Sequence, residues 1–433
     1  MSRRFLVNRA VLATCVLALN IPGHASEPLT LDEALRLATV RSRQLDAHSA
    51  LAQAARERSV AAGQLPDPVI KFGINNLPVT GPDRYRLTRD FMTMRSVAIT
   101  QELIGGDKRK TRASRFDREA EAVLASRAIA LADLQRETAT AWLDLLYQQR
   151  MTDLLRGLRA ETALQIAAAD SAYSTGRGSQ VDSVVARSAV AQIEERMLQQ
   201  ESMIAATRIR LARWVGPVDK QTILGAAPPL SVTHLEADTI DTHLQRHPRI
   251  QWMLRQEAVA QAEVQIAQTA RQSDWSVELM FSQRGPAFSN MLSINLAIPM
   301  QWDQQSRQDR EVAARLAVLE QLRAEREEAT REHVAQAHAW LQQWHGDQGR
   351  LAHYNNTLIP LAMQRTRASL VAYRAGAGPL IAVLEARRAE IDVQMDRLRL
   401  EMESANLWAQ LAYLVVPDPP VPARPAVAAE SQP

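Results

Sequence analysis

The side chains that could do chemistry in this sequence are a histidine pair and a methionine pair. His243 and His247 are four residues apart, so on a helix both imidazoles would share one face and could hold a zinc ion. Pro248 favours another interpretation, because the residue before a proline prefers an extended backbone and His247 then lies before a helix start. Met92 and Met94 alternate, so on a strand both thioethers would share one face and could bind Cu(I) or Ag(I). Packing against lipid or core is the alternative for these two methionines.

The sequence contains no constellation of catalytic residues. It has no phosphate-binding glycine loop, no GxSxG or HExxH motif, and no cysteine placed as a nucleophile. We therefore predict that the chain is not an enzyme and that it holds no cofactor. A formal net charge of +3 over 433 residues is also too small to indicate a nucleic-acid partner.

The first 25 residues have the three regions of an export signal. Basic residues come first, an apolar run extends from Ala10 to Leu19, and a small-x-small cleavage site ends at Ala25. The run is too short to span a bilayer as a mature helix, although an N-terminal anchor remains the alternative. Cys15 lies in a weak lipobox, which leaves lipidation open. We predict a signal peptide over 1–25 and an exported mature chain.

Internal similarity is the strongest signal of organisation. Residues 172–187 read AYSTGRGSQVDSVVAR and residues 372–387 read AYRAGAGPLIAVLEAR, at an offset of 200. The tripeptide Ala-Trp-Leu at 141–143 recurs at 339–341. A fixed offset between such segments predicts a tandem duplication.

The duplication sets the predicted domain boundaries. The first repeat covers 26–214 and the second covers 234–415, with a proline-containing inter-repeat segment at 215–233. The tail 416–433 is rich in proline and alanine and has no core-forming pattern, which predicts disorder.

Each repeat is predicted to contain a helix, two strands and two long helices. Partial alternation of polar and apolar residues marks the strands, whereas apolar residues at three- and four-residue spacing mark the helices. At a rise of 1.5 Å per residue the first long helix would extend about 100 Å, which implies coiled-coil packing. The predicted elements are the helices 29–64 and 234–271, the strands 69–77, 96–103, 275–283 and 291–300, the long helices 107–172 and 303–370, the turns 174–179 and 374–379, and the return helices 180–214 and 380–414.

The predicted strands have the length of tilted strands that cross an outer membrane. Four strands cannot close a barrel, and an open edge in lipid leaves backbone groups unpaired at about several kcal/mol each. A membrane role therefore requires oligomerisation, in which two chains would supply eight strands and three would supply twelve.

This layout resembles the outer-membrane efflux protein family (TolC-like) over nearly the whole mature chain. The Ala-Tyr-x-x-Gly motif at 172–176 and 372–376 is similar to the turns at the tip of that family's tunnel. The resemblance implies a mainly helical homotrimer in which coiled-coil helices form a periplasmic α-barrel and four strands per chain form a twelve-stranded barrel in outer-membrane lipid. It further implies a passive exit duct that works with a periplasmic adaptor and an inner-membrane resistance-nodulation-division pump.

Two segments resemble the heavy-metal branch of the family (CusC/CzcC-like). They are 65–83, which contains LPDP and NNLP, and 91–109, which contains FMTMR and QEL. This similarity implies metal cations as the transported substrate. Export of organic drugs or of a secreted protein is the alternative within the same class, and a periplasmic coiled-coil adaptor is the alternative from another class.

The resemblance also implies a gate at the tunnel tip, which in the family is held by acids, a tyrosine and an arginine. The family's arginine falls at Gly378 here, so Arg177 or Arg374 would have to replace it. For Asp182 and Glu385 the alternative is a solvated charge near a helix start, favoured by the helix dipole. The implied gate residues are Tyr173, Asp182, Arg187, Tyr373, Glu385 and Arg387, and the implied turn glycines are Gly176, Gly178, Gly376 and Gly378.

Overall fold

The computed structural model describes residues 28–176, 178–230 and 245–414. The predicted signal peptide with Cys15, the tail 416–433, Arg177 and His243 lie outside these residues. The described part divides into a first half, 28–230, and a second half, 245–414.

The predicted mainly helical architecture with four strands is confirmed. The elements of the first half are α1 (Leu31–Arg41), α2 (Arg43–Ala62), β1 (Val69–Asn75), β2 (Met94–Leu103), α3 (Gly106–Ser174) and α4 (Gln180–Val215). The elements of the second half are α5 (Pro248–Thr269), β3 (Trp275–Gln283), β4 (Met291–Ala297), α6 (Gln308–His353), α7 (Ile359–Arg374) and α8 (Leu380–Ala412), and a π-helical turn, Tyr354–Leu358, joins α6 to α7.

The predicted helix 29–64 is wrong as a single element, because Ser42 divides it. The side-chain oxygen of Ser42 accepts a hydrogen bond of 3.3 Å from the backbone N–H of Leu45 and begins α2. Serine side chains compete for backbone groups in this way and are therefore favoured at helix starts.

The predicted long helix of the second half is also interrupted. The π-helical turn Tyr354–Leu358 precedes Pro360, whose ring nitrogen has no hydrogen to donate to the preceding turn. In α7, which follows this break, Thr366 is the one residue that is buried. The corresponding helix of the first half, α3, runs for 69 residues without interruption.

The four strands form one antiparallel sheet in the order β1-β2-β3-β4. The outer pairs are hairpins within each half, whereas the central pair, β2 with β3, joins the two halves. The sheet therefore has two free edges within the described chain, at β1 and at β4.

The largest hydrophobic core lies where α1, α3, α4 and α8 meet. Trp142 of α3, Leu211 of α4 and Ala409 of α8 are fully buried there. The indole N–H of Trp142 donates to the carbonyl of Leu29 at 2.9 Å, and Leu29 forms a parallel β-bridge with Leu224. The segment that follows α4 is thereby attached to the chain that precedes α1.

The long helices carry charged residues along their exposed faces. Arginines pair with acids one turn away, as in Arg118–Glu121 at 3.1 Å and Arg323–Glu320 at 2.5 Å. Over the described ranges, no helix has an 18-residue stretch apolar enough to cross a membrane.

Candidate functional site

The pairing register gives the sheet one continuous apolar face. Residues that pair directly in an antiparallel sheet lie on the same face. All eight residues of two neighbouring cross-strand rows are apolar, and their exposed fractions range from 44 to 79%. The rows are Ile70–Ile99–Leu279–Ile294 and Phe72–Val97–Phe281–Leu292.

The opposite face of the sheet is polar. The carboxylate of Glu278 accepts hydrogen bonds from Lys71 Nζ at 2.7 Å and from the Thr100 hydroxyl at 2.8 Å. Asn295 donates to its second oxygen at 3.1 Å. This network links all four strands and gives the face charged and hydrogen-bonding groups that suit contact with water.

The two faces together define what the sheet can do. Monomeric proteins in water rarely expose contiguous apolar surface of this kind, which marks contact with a membrane or a partner. Alternation of apolar and polar faces along strands of 7 to 10 residues is the pattern of a strand that separates lipid from water.

The methionine pair predicted as a soft-metal site is not on one strand face. Met94 begins β2, whereas Met92 lies in the preceding turn, so the shared-face prediction is wrong. The turn forms because the Asp90 carboxylate accepts the backbone N–H groups of Met92 at 2.8 Å and Thr93 at 3.2 Å. Among the residues that the structure describes, no group of three or more His, Cys, Asp or Glu is placed to hold a metal ion.

The turn between α3 and α4 depends on two glycines. Gly176 has a φ of 70°, which glycine adopts without steric cost. At Gly178 a Cβ would lie 2.9 Å from the Cβ of Ala172, so a larger residue would force the turn open. The equivalent Gly376 has a φ of 71°, whereas a Cβ at Gly378 would meet Ala372 at an ordinary 3.4 Å.

Asp182 lies in the first turn of α4, and its carboxylate completes a capping box. It accepts the backbone N–H of Ser179 at 3.1 Å, while the Ser179 side chain accepts the N–H of Val181 at 3.1 Å. This geometry agrees with the interpretation of Asp182 as a charge near a helix start. Glu385, on α8, is exposed.

Arg187 forms an ion pair inside the first hairpin. Its guanidinium lies 3.2 Å from the carboxylate of Asp170 on α3. The Ser183 hydroxyl also donates to this carboxylate, and that hydrogen bond, with the Arg187 guanidinium, lowers the pKa of Asp170. The sequence analysis missed Asp170, although the repeat alignment places Leu370 at the equivalent position and could have indicated that the two hairpins differ.

Arg387 pairs in a different way from Arg187. Its guanidinium lies 2.7 Å from Glu161 on α3 and 3.1 Å from Glu390 on α8. With Leu370 in place of an aspartate, the second hairpin offers no equivalent acid, and Arg387 connects α8 to the first half instead. The sequence analysis missed Glu161 because nothing in the pattern shows which helices are neighbours.

The two tip tyrosines have different surroundings. Tyr173 is exposed, with an accessible fraction of 52%, whereas Tyr373 is half-buried against the cluster that contains Leu380 and Val383. In the described part of the chain, no hydrogen bond joins Asp182 to Tyr373, Arg187 or Arg387. A shared gate made of these residues stays a prediction.

His247 caps α5, as the sequence predicts from Pro248. Its Nδ1 accepts the backbone N–H of Arg249 at 3.2 Å, and its ring stacks on that of His333, with centroids 4.5 Å apart. Burial lowers the pKa of His247 from 6.5 to about 4, and the neighbouring charges of His333 and Arg136 act in the same direction. A protonated Nδ1 could not accept the capping bond, so the fold keeps this imidazole neutral.

Comparison with solved structures defines the fold. The chain is similar to CusC, described as forming a transmembrane channel, at a TM-score of 0.74 and 14% identity, covering 89% of this chain and 92% of CusC. It is also similar to the outer membrane protein VceC of Vibrio cholerae (TM-score 0.71, 14% identity, 89% and 95% covered). The outer membrane channel MtrE of Neisseria gonorrhoeae, in its open state, has a TM-score of 0.70 at 14% identity, with 89% and 88% covered.

No family model matches the sequence, and no curated protein sequence matches it. The fold is that of the outer-membrane channels, with long helices and a small sheet in each chain.

The His247 cap predicts a pH-dependent stability. Between pH 6.5 and about 4 the unfolded chain binds a proton that the folded chain excludes, so the free energy of unfolding should fall as the pH is lowered through this window. His247→Asn keeps a capping side chain but removes the titrating group. Melting temperatures measured from pH 4 to pH 8 should therefore fall less steeply at low pH in this variant. Equal slopes in the two proteins would contradict the assignment.

Proposed function

We propose that this protein is the subunit of an outer-membrane channel that forms the passive exit duct of a tripartite efflux system. The observation that carries the proposal is the apolar face that runs across all four strands while the opposite face is polar and hydrogen-bonded. Such a sheet suits lipid on one side and water on the other. The similarity of the fold to outer-membrane channels supports the same conclusion.

Three chains would complete the structure. A sheet with free edges at β1 and β4 cannot stand alone in lipid, and pairing β4 of one chain with β1 of the next satisfies both edges. Twelve strands enclose an interior wide enough for a channel, whereas eight leave an interior filled by side chains. The proposed homotrimer lies in the outer membrane, with α3 and the other long helices extending about 100 Å into the periplasm.

The duct would work with a periplasmic adaptor and an inner-membrane resistance-nodulation-division pump. This part of the proposal rests on the resemblance of the tip turns and the repeated layout to the TolC-like family. The rival hypothesis of a periplasmic coiled-coil adaptor has less support, because an adaptor would carry a lipoyl-like β-domain between paired helices. The channel fold, by contrast, matches the described chain over most of its length.

A matched pair of substitutions on β4 tests the membrane assignment of the sheet. Ile294 lies at the middle of β4 on the apolar face, and Ser293 beside it lies on the polar face. Ile294→Arg should destabilise the vesicle-inserted protein by about 2–4 kcal/mol and lower the yield of trimer in outer-membrane fractions, because a guanidinium in the bilayer core is costly. Ser293→Arg should change stability much less. Equal effects, or a monomer recovered from the periplasm, would refute the proposal.

Acids near the tip are the proposed basis of cation preference. A threefold ring formed by Asp182 and Glu385 would attract cations and repel anions at a narrow opening. Asp182→Ala combined with Glu385→Ala should lower the cation selectivity of the reconstituted channel or change its conductance. Since Asp182 also caps α4, Asp182→Asn serves as a control that retains a capping group. Unchanged single-channel currents in the double variant would contradict the gate assignment.

Metal cations are the proposed substrate, on the basis of the segments 65–83 and 91–109 that resemble the heavy-metal branch. A strain lacking the gene should lose tolerance to at least one of the salts of Cu, Ag, Zn, Co and Cd, because the pump would have no exit. Complementation with the intact gene is the control. Unchanged tolerance to all five, with altered tolerance to organic drugs, would favour the drug-efflux alternative.

A further inference from the structure

The end of the sheet that lies farthest from the long helices has an unusual charge composition. This end consists of the loop between β1 and β2, the first residues of β2, and the loop between β3 and β4. Across 76–95 and 284–290 there are five arginines, two aspartates, and no lysine or glutamate. Over 26–433 as a whole, basic and acidic residues are equal in number at 48 each, so this excess is local.

Neither aspartate of this end neutralises an arginine in the described chain. The Asp90 carboxylate accepts two backbone N–H groups, those of Met92 and Thr93, and so is occupied in shaping the turn. Asp83 forms no ion pair among the residues that the structure describes; its backbone carbonyl accepts the N–H of Arg86.

Two of the five arginines have contacts inside the loops. Arg284 donates from Nε to the carbonyl of Ser289 at 2.8 Å, and its guanidinium lies over the Phe288 ring. The guanidinium of Arg84 lies 4.7 Å from the centre of the Tyr85 ring. Contacts of this kind fix the loops without supplying a negative charge.

The other three arginines, Arg86, Arg89 and Arg95, have side chains with no hydrogen-bond or ion-pair partner in the described chain. On the helices, by contrast, many arginines have an acid three or four residues away, as in Arg118–Glu121. A guanidinium offers five donors in a planar fork that matches carboxylate and phosphate groups. Three exposed guanidinium groups without an internal partner are therefore available to an external anion.

The position of Arg95 identifies the anion. Arg95 pairs with Ile74 and Gln283, so it lies on the apolar face, two residues beyond Val97. At about 3.3 Å per residue, its Cα is about 7 Å beyond the row that contains Phe72 and Val97. An arginine at the margin of a lipid-facing band extends its guanidinium to the level of the lipid head groups, where the phosphates lie.

The loops hold Arg89 near the same margin. A Cβ placed on Gly285 would overlap the carbonyl oxygen of Thr88, so the backbones of the two loops are in direct contact beside Arg89. Arg284 reinforces this contact by donating to the carbonyl of Phe91 at 3.4 Å.

We propose that Arg86, Arg89 and Arg95 form a phosphate-binding collar that takes the phosphate groups of lipids in the outer leaflet of the membrane. The proposal rests on the proposed function, since it requires the apolar face to contact lipid. Its recognition chemistry is charge-assisted hydrogen bonding from guanidinium groups to phosphate oxygens.

The test uses the full-length protein, assembled in a non-ionic detergent, and diphosphorylated lipid A as the probe. The variant R86Q/R89Q/R95Q should bind lipid A at least tenfold more weakly, as counted by native mass spectrometry over a titration. The control R56Q/R58Q/R367Q removes three exposed arginines of α2 and α7, which also have no partner in the described chain, and should bind as the unchanged protein does. Raising the salt concentration should weaken binding to the unchanged protein, because exposed charges are screened.

Four further measurements identify the source of the anion and distinguish failure of the collar from failure of assembly or of the proposed function. Dephosphorylated lipid binding as tightly as lipid A would overturn the collar. Complete displacement of lipid A by millimolar inorganic phosphate would also overturn the collar, because it would indicate a site for free anions. If the collar variant fails to assemble, R86K/R89K/R95K serves in its place. This variant keeps the three positive charges and should retain most of the salt-dependent binding of lipid A. Channel conductance measured in phosphate-free lipid tests the proposed function separately, because it should persist even if the collar is wrong.

Discussion

Backbone hydrogen bonding at the two free edges of the sheet is the constraint on which the rest of the structure depends. In lipid, each unpaired backbone group costs on the order of several kcal/mol, so β1 and β4 cannot remain unpaired in a bilayer. In water, the same edges would template aggregation, and the apolar rows beside them would be exposed. The sheet of an isolated chain is therefore unfavourable in lipid and in water. The proposed trimer pairs the free strand edges and places the apolar rows against lipid.

The two halves share a sequence motif but not an electrostatic arrangement. Arg187 pairs with Asp170 inside its own hairpin, whereas Arg387 reaches Glu161 on the helix of the other half. A duplicated arginine thus acts within one hairpin in the first half and between hairpins in the second. Together with the break at Pro360, this makes the second hairpin depend on α3 for its position.

Much of the fold could be predicted because its signals are local. Each of these signals acts within a few residues: the polar–apolar alternation of the strands, the glycines of the tip turns, and the three- and four-residue spacing of apolar residues in the helices. The structure has four strands and long helices where these signals predict them. The division of a helix at Ser42 and the π-helical turn before Pro360 were missed, because one capping serine or one proline is a weak signal inside a long helical pattern.

The candidate site was harder to predict because it depends on distant pairing. The apolar rows emerge only when β2 is placed beside β3 in a particular register. A shift of one residue would move every side chain of the shifted strand to the opposite face of the sheet. The acids that pair with Arg187 and Arg387 were missed for the same reason, since helix neighbours are set by tertiary packing. The methionine pair was misjudged because the Asp90 carboxylate accepts the backbone N–H groups of Met92 and Thr93, which fixes a turn there, and β2 begins only at Met94.

The join between β2 and β3 has a consequence for how the protein is made. Thr100 and Glu278, which pair across this join, are 178 residues apart in the chain. The first hairpin can form early, but it stays without its partner strand until nearly two thirds of the chain has been synthesised. During that interval its apolar side faces water and its backbone edge is open to other chains. Completion of the sheet therefore waits on the closure of this very long loop, and we expect that closure to be the slow step of folding.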